Sequence, residues 1–146
     1  TRPFDGEGIA SVARPIVENG VLRNIYVDTY YGRKAGLPVT SGTPSNRVVA
    51  LGDKDRDRWI KDVKKGILVT SWMGGNADNN SGDFSFGIRG HVIEKGRIGA
   101  PIGEMNVTGN LVALFGTLVG VGNDPWRASS IVAPMLVFEG VQFAGA

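Results

Sequence analysis

Apolar residues along this chain come in short runs separated by glycine-bearing turns, and the runs alternate with period two more often than they follow the 3.6-residue period of a helix. Residues 12–18 and 21–28 are two such runs on either side of Asn19-Gly20. Asn-Gly supplies the two positive φ angles of a tight type I′ turn, so this segment predicts a hairpin. Pro15 cannot donate to a ladder, which puts its strand at an edge or a bulge. Asp28-Thr29 is placed to cap a short helix running to Ala35, with Gly36 at its end. Residues 37–46, rich in Pro, Thr, Ser and Gly, read as a loop, and residues 47–51 return to strand character.

Asp53 or Asp55 is a suitable N-cap for a helix with Trp59, Ile60 and Val63 on one face, and Lys64-Lys65-Gly66 is a suitable end for it. The apolar run 67–73 predicts a strand at the centre of a sheet. A loop over 74–83 then leads to a strand over 84–94 that places Phe84, Phe86, Ile88, Gly90 and Val92 on one face. Lys95-Gly96 turns the chain into a returning strand, 97–102. Thr108 or Asn110 can start another helix with Leu111, Leu114, Phe115 and Leu118 as its apolar stripe. After a loop over 120–130, residues 131–132, 135–139 and 140–144 read as closing strands. The fold class expected is α+β: one domain with a mostly antiparallel, strongly curved sheet or partial barrel built from hairpins, and two or three helices packed on it.

Composition changes this picture little. Glycine makes up 22 of 146 residues, about twice the usual ~7%, without a Gly-X-Y period, so it signals turns rather than collagen or disorder. The 16 basic and 14 acidic residues nearly balance, and the densest charged run, 53–58, alternates in sign. Such a run offers phosphates no uniform field, so no nucleic-acid partner is expected. No stretch approaches the roughly 20 apolar residues of a membrane span, and the first eight residues are too polar for a secretory signal. A soluble protein is therefore expected, with Thr1 in place of Met suggesting a processed or excised start. The absence of cysteine removes disulfides, thiolate ligands and a thiol nucleophile.

Candidate chemistry is sparse. A zinc peptidase brings two histidines one helical turn apart beside a glutamate, whereas this chain has His91 alone. The 74–83 loop has oxygen ligands but lacks calcium-loop spacing. Gly6-Glu7-Gly8 and Gly120-Val121-Gly122 do not continue into a dinucleotide or phosphate loop. Ser85 sits in no nucleophile elbow, and Glu94, Glu104 and Asp124 read as turn or surface carboxylates. The aromatic residues Trp59, Trp72, Phe84, Phe86 and Phe115 read as core, and Trp126 as a contact residue.

Six segments, taken in order, resemble the C-terminal domain of TldD/PmbA proteins, the family also called modulators of DNA gyrase. They are residues 4–8, 16–22, 81–85, 92–98, 108–111 and 121–124, with sequences FDGEG, IVENGVL, SGDFS, VIEKGRI, TGNL and VGND. The resemblance implies a cytosolic two-subunit zinc metallopeptidase whose TldD-type subunit carries an upstream His-Glu-x-x-x-His helix. It also implies a loop cysteine as a further zinc ligand, and Arg127-Ala128-Ser129-Ser130 stands there instead, with Ala128 or a neighbour at the thiolate position. The resemblance therefore points to the PmbA/TldE-like, non-catalytic subtype, with no cofactor in this chain and zinc in the catalytic subunit. The expected partners are a TldD-type subunit or a second copy, and a peptide or unfolded-protein substrate held by strand addition. Gly82, Asp83, Ser85, Asn110, Asn123 and Asp124 are the candidate peptide-binding residues. A purely structural or dimerisation domain is the competing expectation, and a catalytic TldD-type protein with its metal motif upstream is a third.

Overall fold

The computed structural model describes residues 2–145, so the start at Thr1 lies outside the described residues. The chain divides into two compact units, residues 1–49 with 127–132 and residues 50–126 with 133–146.

In the first unit the Asn-Gly hairpin forms, with Asn19 and Gly20 at φ 51° and 75°. Its strands are only Val17–Glu18 (β1) and Val21–Leu22 (β2), shorter than the alternation suggested, and all four residues are exposed. Helix Thr29–Ala35 (α1) starts and stops as expected: the Asp28 carboxylate accepts from Tyr31 N at 2.7 Å, and Gly36 closes the helix in the left-handed conformation at φ 66°. A side chain on Gly32 would meet Val39 Cγ2 at 2.7 Å, so only glycine lets this helix lie against the following loop. Arg47–Val48 (β3) pairs in parallel with Ile131–Val132 (β9). The buried Asp5 carboxylate ties the unit together, accepting from Glu7 N, Ile9 N and Gly42 N at 2.9, 3.0 and 2.9 Å.

The second unit is built on Asp83–Glu94 (β5). Lys65–Ala77 (β4) runs antiparallel along one side of it, while Met105–Asn110 (β7) and Arg97–Pro101 (β6) share the other side. Phe143–Gly145 (β11) adds to β7, giving the order β11-β7-β5-β4, and Leu118–Val121 (β8) pairs with Leu136–Phe138 (β10). The sheet is open, with β11 and β4 at its ends, so no closed barrel forms among the described residues. The mixed α and β class, the mostly antiparallel pairing and the three helices among the described residues agree with the pattern reading.

Phe84, Ile88 and Val107 form the buried cluster, with Ile88 only 2% exposed, and Leu114, Val141 and Phe143 pack around it. The expected face of β5 is therefore the core face, and Ile93 is buried on the opposite one.

Several expectations are overturned. The run 67–73 lies on an end strand, not a central one, and the strand continues through residues 74–77. Trp72, expected in the core, is 63% exposed, and Phe115 is also exposed. Helix Arg56–Asp62 (α2), capped by Asp55, ends at an extended Val63, because Lys65 and Gly66 are already paired with Glu94 and Ile93. Helix Leu111–Gly116 (α3) stops before Leu118, which begins β8.

Candidate peptide-binding site

The end of the sheet where β5 and β7 meet α3 gathers four of the six candidate residues. Asp83 and Asn110 are register partners, so their side chains meet across the ladder. Asn110 Nδ2 donates to Ser81 O at 2.8 Å and to an Asp83 carboxylate oxygen at 2.9 Å. Its Oδ1 accepts from Val112 N at 3.0 Å and caps α3. Leu111 N donates to Gly82 O at 2.8 Å, and Gly82 holds φ 80° with the Asn110 amide over its Cα. One asparagine thus locks the 78–83 turn, the end of β5 and the start of a helix. Its amide and the Ser81 hydroxyl hold the Asp83 carboxyl below its ordinary value, against a smaller opposing effect of desolvation.

Ser85 lies two residues further along β5, opposite Asn76 on one side and Thr108 on the other. Asp83 and Ser85 are therefore interior to the sheet and can meet a ligand through side chains but not as an open edge. Among the described residues the end strand β4 pairs only with β5. Beside Asn110 a depression of about 180 Å³ is lined by Phe84, Leu114 and Val141 below and by Thr108, Gly109, Thr117, Glu139, Gly140 and Gln142 around. Sequence reasoning missed this 139–142 wall. Its residues read only as strand and turn, and what brings them to Asn110 is the long-range pairing of β11 with β7.

Asn123 and Asp124 sit elsewhere in the same unit. Asn123 N donates to Lys54 O at 3.0 Å and its amide reaches Asp53 O at 3.5 Å, while Asp124 Oδ1 fills the space that a side chain on Gly122 would need. The bonds of Asn123 fasten the 52–54 segment to the end of β8 and do not reach the Asp83–Asn110 cluster. Nearby, Lys54 binds Asp62 at 2.8 Å and lies 4.4 Å above the Trp59 ring. The Asp62 hydrogen bond raises its pKa.

The donor set does not fit a zinc ion. His91 lies mid-strand opposite Leu68 and Pro101, and no three His, Asp or Glu side chains converge among the described residues. Ala128 is exposed in the first unit, where Ser130 O accepts from Arg47 N at 2.8 Å. No helix among the described residues is long and apolar enough to cross a membrane.

The family model described as the PmbA/TldA metallopeptidase C-terminal domain matches residues 1–145. The chain is 32% identical over 145 residues to the metalloprotease PmbA of Escherichia coli O157:H7, covering 98% of this chain and 32% of that one. It is 25% identical over 134 residues to a zinc metalloprotease TldD homolog of Saccharolobus solfataricus, covering 83% and 30%. A crystal structure from Bacteroides thetaiotaomicron, of a protein named as a candidate modulator of DNA gyrase, superposes with a TM-score of 0.92 at 50% identity, over 99% of this chain and 33% of that one. TldE from Thermococcus kodakarensis shares the fold at a TM-score of 0.86 and 20% identity, over 99% and 36%. The chain spans about a third of the length of the curated relatives it matches. It belongs to the PmbA/TldD metallopeptidase family, and the region it represents is that family's C-terminal domain.

Proposed function

We propose that this domain is part of a PmbA/TldE-like, non-catalytic subunit of a cytoplasmic TldD/TldE-type metallopeptidase, where it helps wall the chamber that presents an extended peptide to the partner's zinc. The carrying observation is the depression beside Asn110, lined by Phe84, Leu114 and Val141 together with amide, hydroxyl and glycine backbone groups and the Glu139 carboxylate. Its volume is below the roughly 300 Å³ at which small-molecule sites begin, and suits one side chain of a longer ligand. Asp83 and Ser85 contact that ligand through side chains, and strand addition falls to β4, whose outer edge is unpaired in this fold. In this reading the metal ligands come from the TldD-type subunit.

The test is peptidase activity in the pair reconstituted with a TldD-type subunit, the purified PmbA-like protein carrying Asn110→Ser or Gly109→Val. The expected result is a higher KM with subunit association unchanged. Unaltered KM and kcat for both variants would remove the site. Asn123→Ala with Asp124→Ala, made in parallel, separates the second group of residues from the first.

A further inference from the structure

We infer that the depression beside Asn110 selects a lysine or arginine side chain of the extended peptide, its stem lying on Phe84, Leu114 and Val141 and its cation meeting the Glu139 carboxylate. This rests on the peptide reading above and adds to it the class of residue recognised. Among the described residues, Glu139 is the one charged residue that lines the depression. A ligand group of opposite charge is therefore the one it can tell apart from the rest.

Two polar side chains around it have no proton left to offer. Both Nδ2 protons of Asn110 are committed, to Ser81 O at 2.8 Å and to Asp83 at 2.9 Å, and Thr117 Oγ1 donates to Leu114 O at 2.8 Å. Glu139 is held in place through its backbone, whose N–H donates to Thr117 O at 3.1 Å. Its carboxylate has neither a hydrogen bond nor an ion pair among the described residues. An ionised carboxylate only accepts, so what it presents to a ligand is lone pairs and a negative charge.

Apolar side chains next to one acceptor-only charge discriminate among the parts of a peptide. An aliphatic side chain covers Phe84, Leu114 and Val141 but gives Glu139 nothing, an acidic one is repelled, and a free α-ammonium brings charge without a stem. Lysine and arginine bring both, because their methylene stems cover apolar surface while the head stays at the water boundary. Glu139 is exposed, so it stands at that boundary. The same exposure limits the gain, since an ion pair open to water changes affinity only a few-fold. Arginine should be the better of the two, its planar guanidinium meeting both carboxylate oxygens at once.

The experiment uses the protein at its natural length, reconstituted with a TldD-type subunit, and short N-acetylated alanine–serine peptides carrying lysine, arginine, methionine or glutamate at each position in turn. Competition between peptides gives their relative kcat/KM. The TldD-type subunit brings a preference of its own, so the deciding quantity is the change in the lysine-to-methionine ratio between the parent and Glu139→Gln. At one position that ratio should fall by about 3- to 5-fold in the variant. Glu139→Lys should lower it further and favour the glutamate peptide, and higher salt should shrink the difference between parent and Glu139→Gln. An equal ratio in parent and Glu139→Gln at every position, or one that Glu139→Lys leaves in place, overturns the inference. If Gly109→Val still raises KM for the methionine peptide in that case, the peptide site stands and only the role of Glu139 falls. If Gly109→Val and Asn110→Ser alter KM for no peptide, the peptide site falls and the inference with it.

Discussion

Asn110 offers the sharpest test of how this fold is held together, because three roles meet in one side chain. Asn110→Ala removes the cap of α3, worth about 1 kcal/mol, and the neutral hydrogen bond to Ser81 O, worth about as much again. A loss of about 2 kcal/mol in a unit of this size lowers Tm by on the order of 10 °C. Asn110→Ser retains an oxygen for the cap but neither Nδ2 donor, so it should recover about half of that loss. The bond to Asp83 adds a pH signature. The folded pKa of Asp83 is depressed below its ordinary 3.8, so its stabilising contribution is complete above that value and is lost as pH falls through the lower folded one. The difference in stability between the parent and Asn110→Ala should accordingly narrow as the pH drops below about 4. Urea unfolding of both proteins between pH 3 and 7 reads this directly. A difference that stays constant over that range, or equal losses for the Ala and Ser variants, would refute the reasoning.

Asp55→Ala removes the carboxylate that accepts from Arg58 N at 2.8 Å, and should destabilise α2 by about 1 kcal/mol in chemical denaturation, with Asp55→Ser near neutral. Gly120→Ala places a methyl group 2.5 Å from the Trp59 ring, which Lys54 and Val121 O hold from two sides. It should cost about 1–3 kcal/mol and change Trp59 fluorescence, whereas Gly116→Ala, with open space at its Cα, should do neither. Asp5→Ala leaves three backbone N–H groups of the first unit without their acceptor, so the Gly42 amide should exchange faster with deuterium. In the parent the backbone bond from Gly42 is the largest cause of the lowered Asp5 pKa, so the protection of that amide should fade only below pH 3.8.

What the sequence reveals here is local, and what it conceals is the choice of neighbours. Asp28, the pair Asp53 and Asp55, and the pair Thr108 and Asn110 announce helix starts, the structure choosing Asp55 and Asn110, because the cap is a contact over two or three residues, and Asn19-Gly20 and Lys95-Gly96 announce their turns because φ is a property of the residue itself. The strand β7 is hidden because Met105-Asn106-Val107-Thr108-Gly109-Asn110 has a single buried aliphatic, Val107. Its place beside β5 comes from a ladder with residues 83–88, which no short window contains. The same reason explains β4. Seven residues of apolar character specify a strand, but whether one neighbour or two will cover it is decided by chain far away. At the site, Asp83 and Asn110 are both visible as polar residues beside glycines, and only the register shows that they meet. The wall at 139–142 depends in turn on β11 finding β7.

The run from Gly66 to Ala77 has a further consequence for the life of the protein before it is folded or assembled. It carries neither a charge nor a proline, and its Ile-Leu-Val-Thr-Ser-Trp-Met core is the composition from which fibrils are seeded. The folded strand is interrupted twice: its register with β5 shifts between Val69 and Ser71 and again between Met73 and Gly75, where Gly74 and Gly75 take φ 56° and 127°. A foreign strand therefore finds a straight ladder only over Lys65–Val69, enough for one short peptide but not for a stack of long strands. If the two interruptions guard against runaway polymerisation, closing them by deleting Thr70 and Gly74 should shorten the lag time of aggregation.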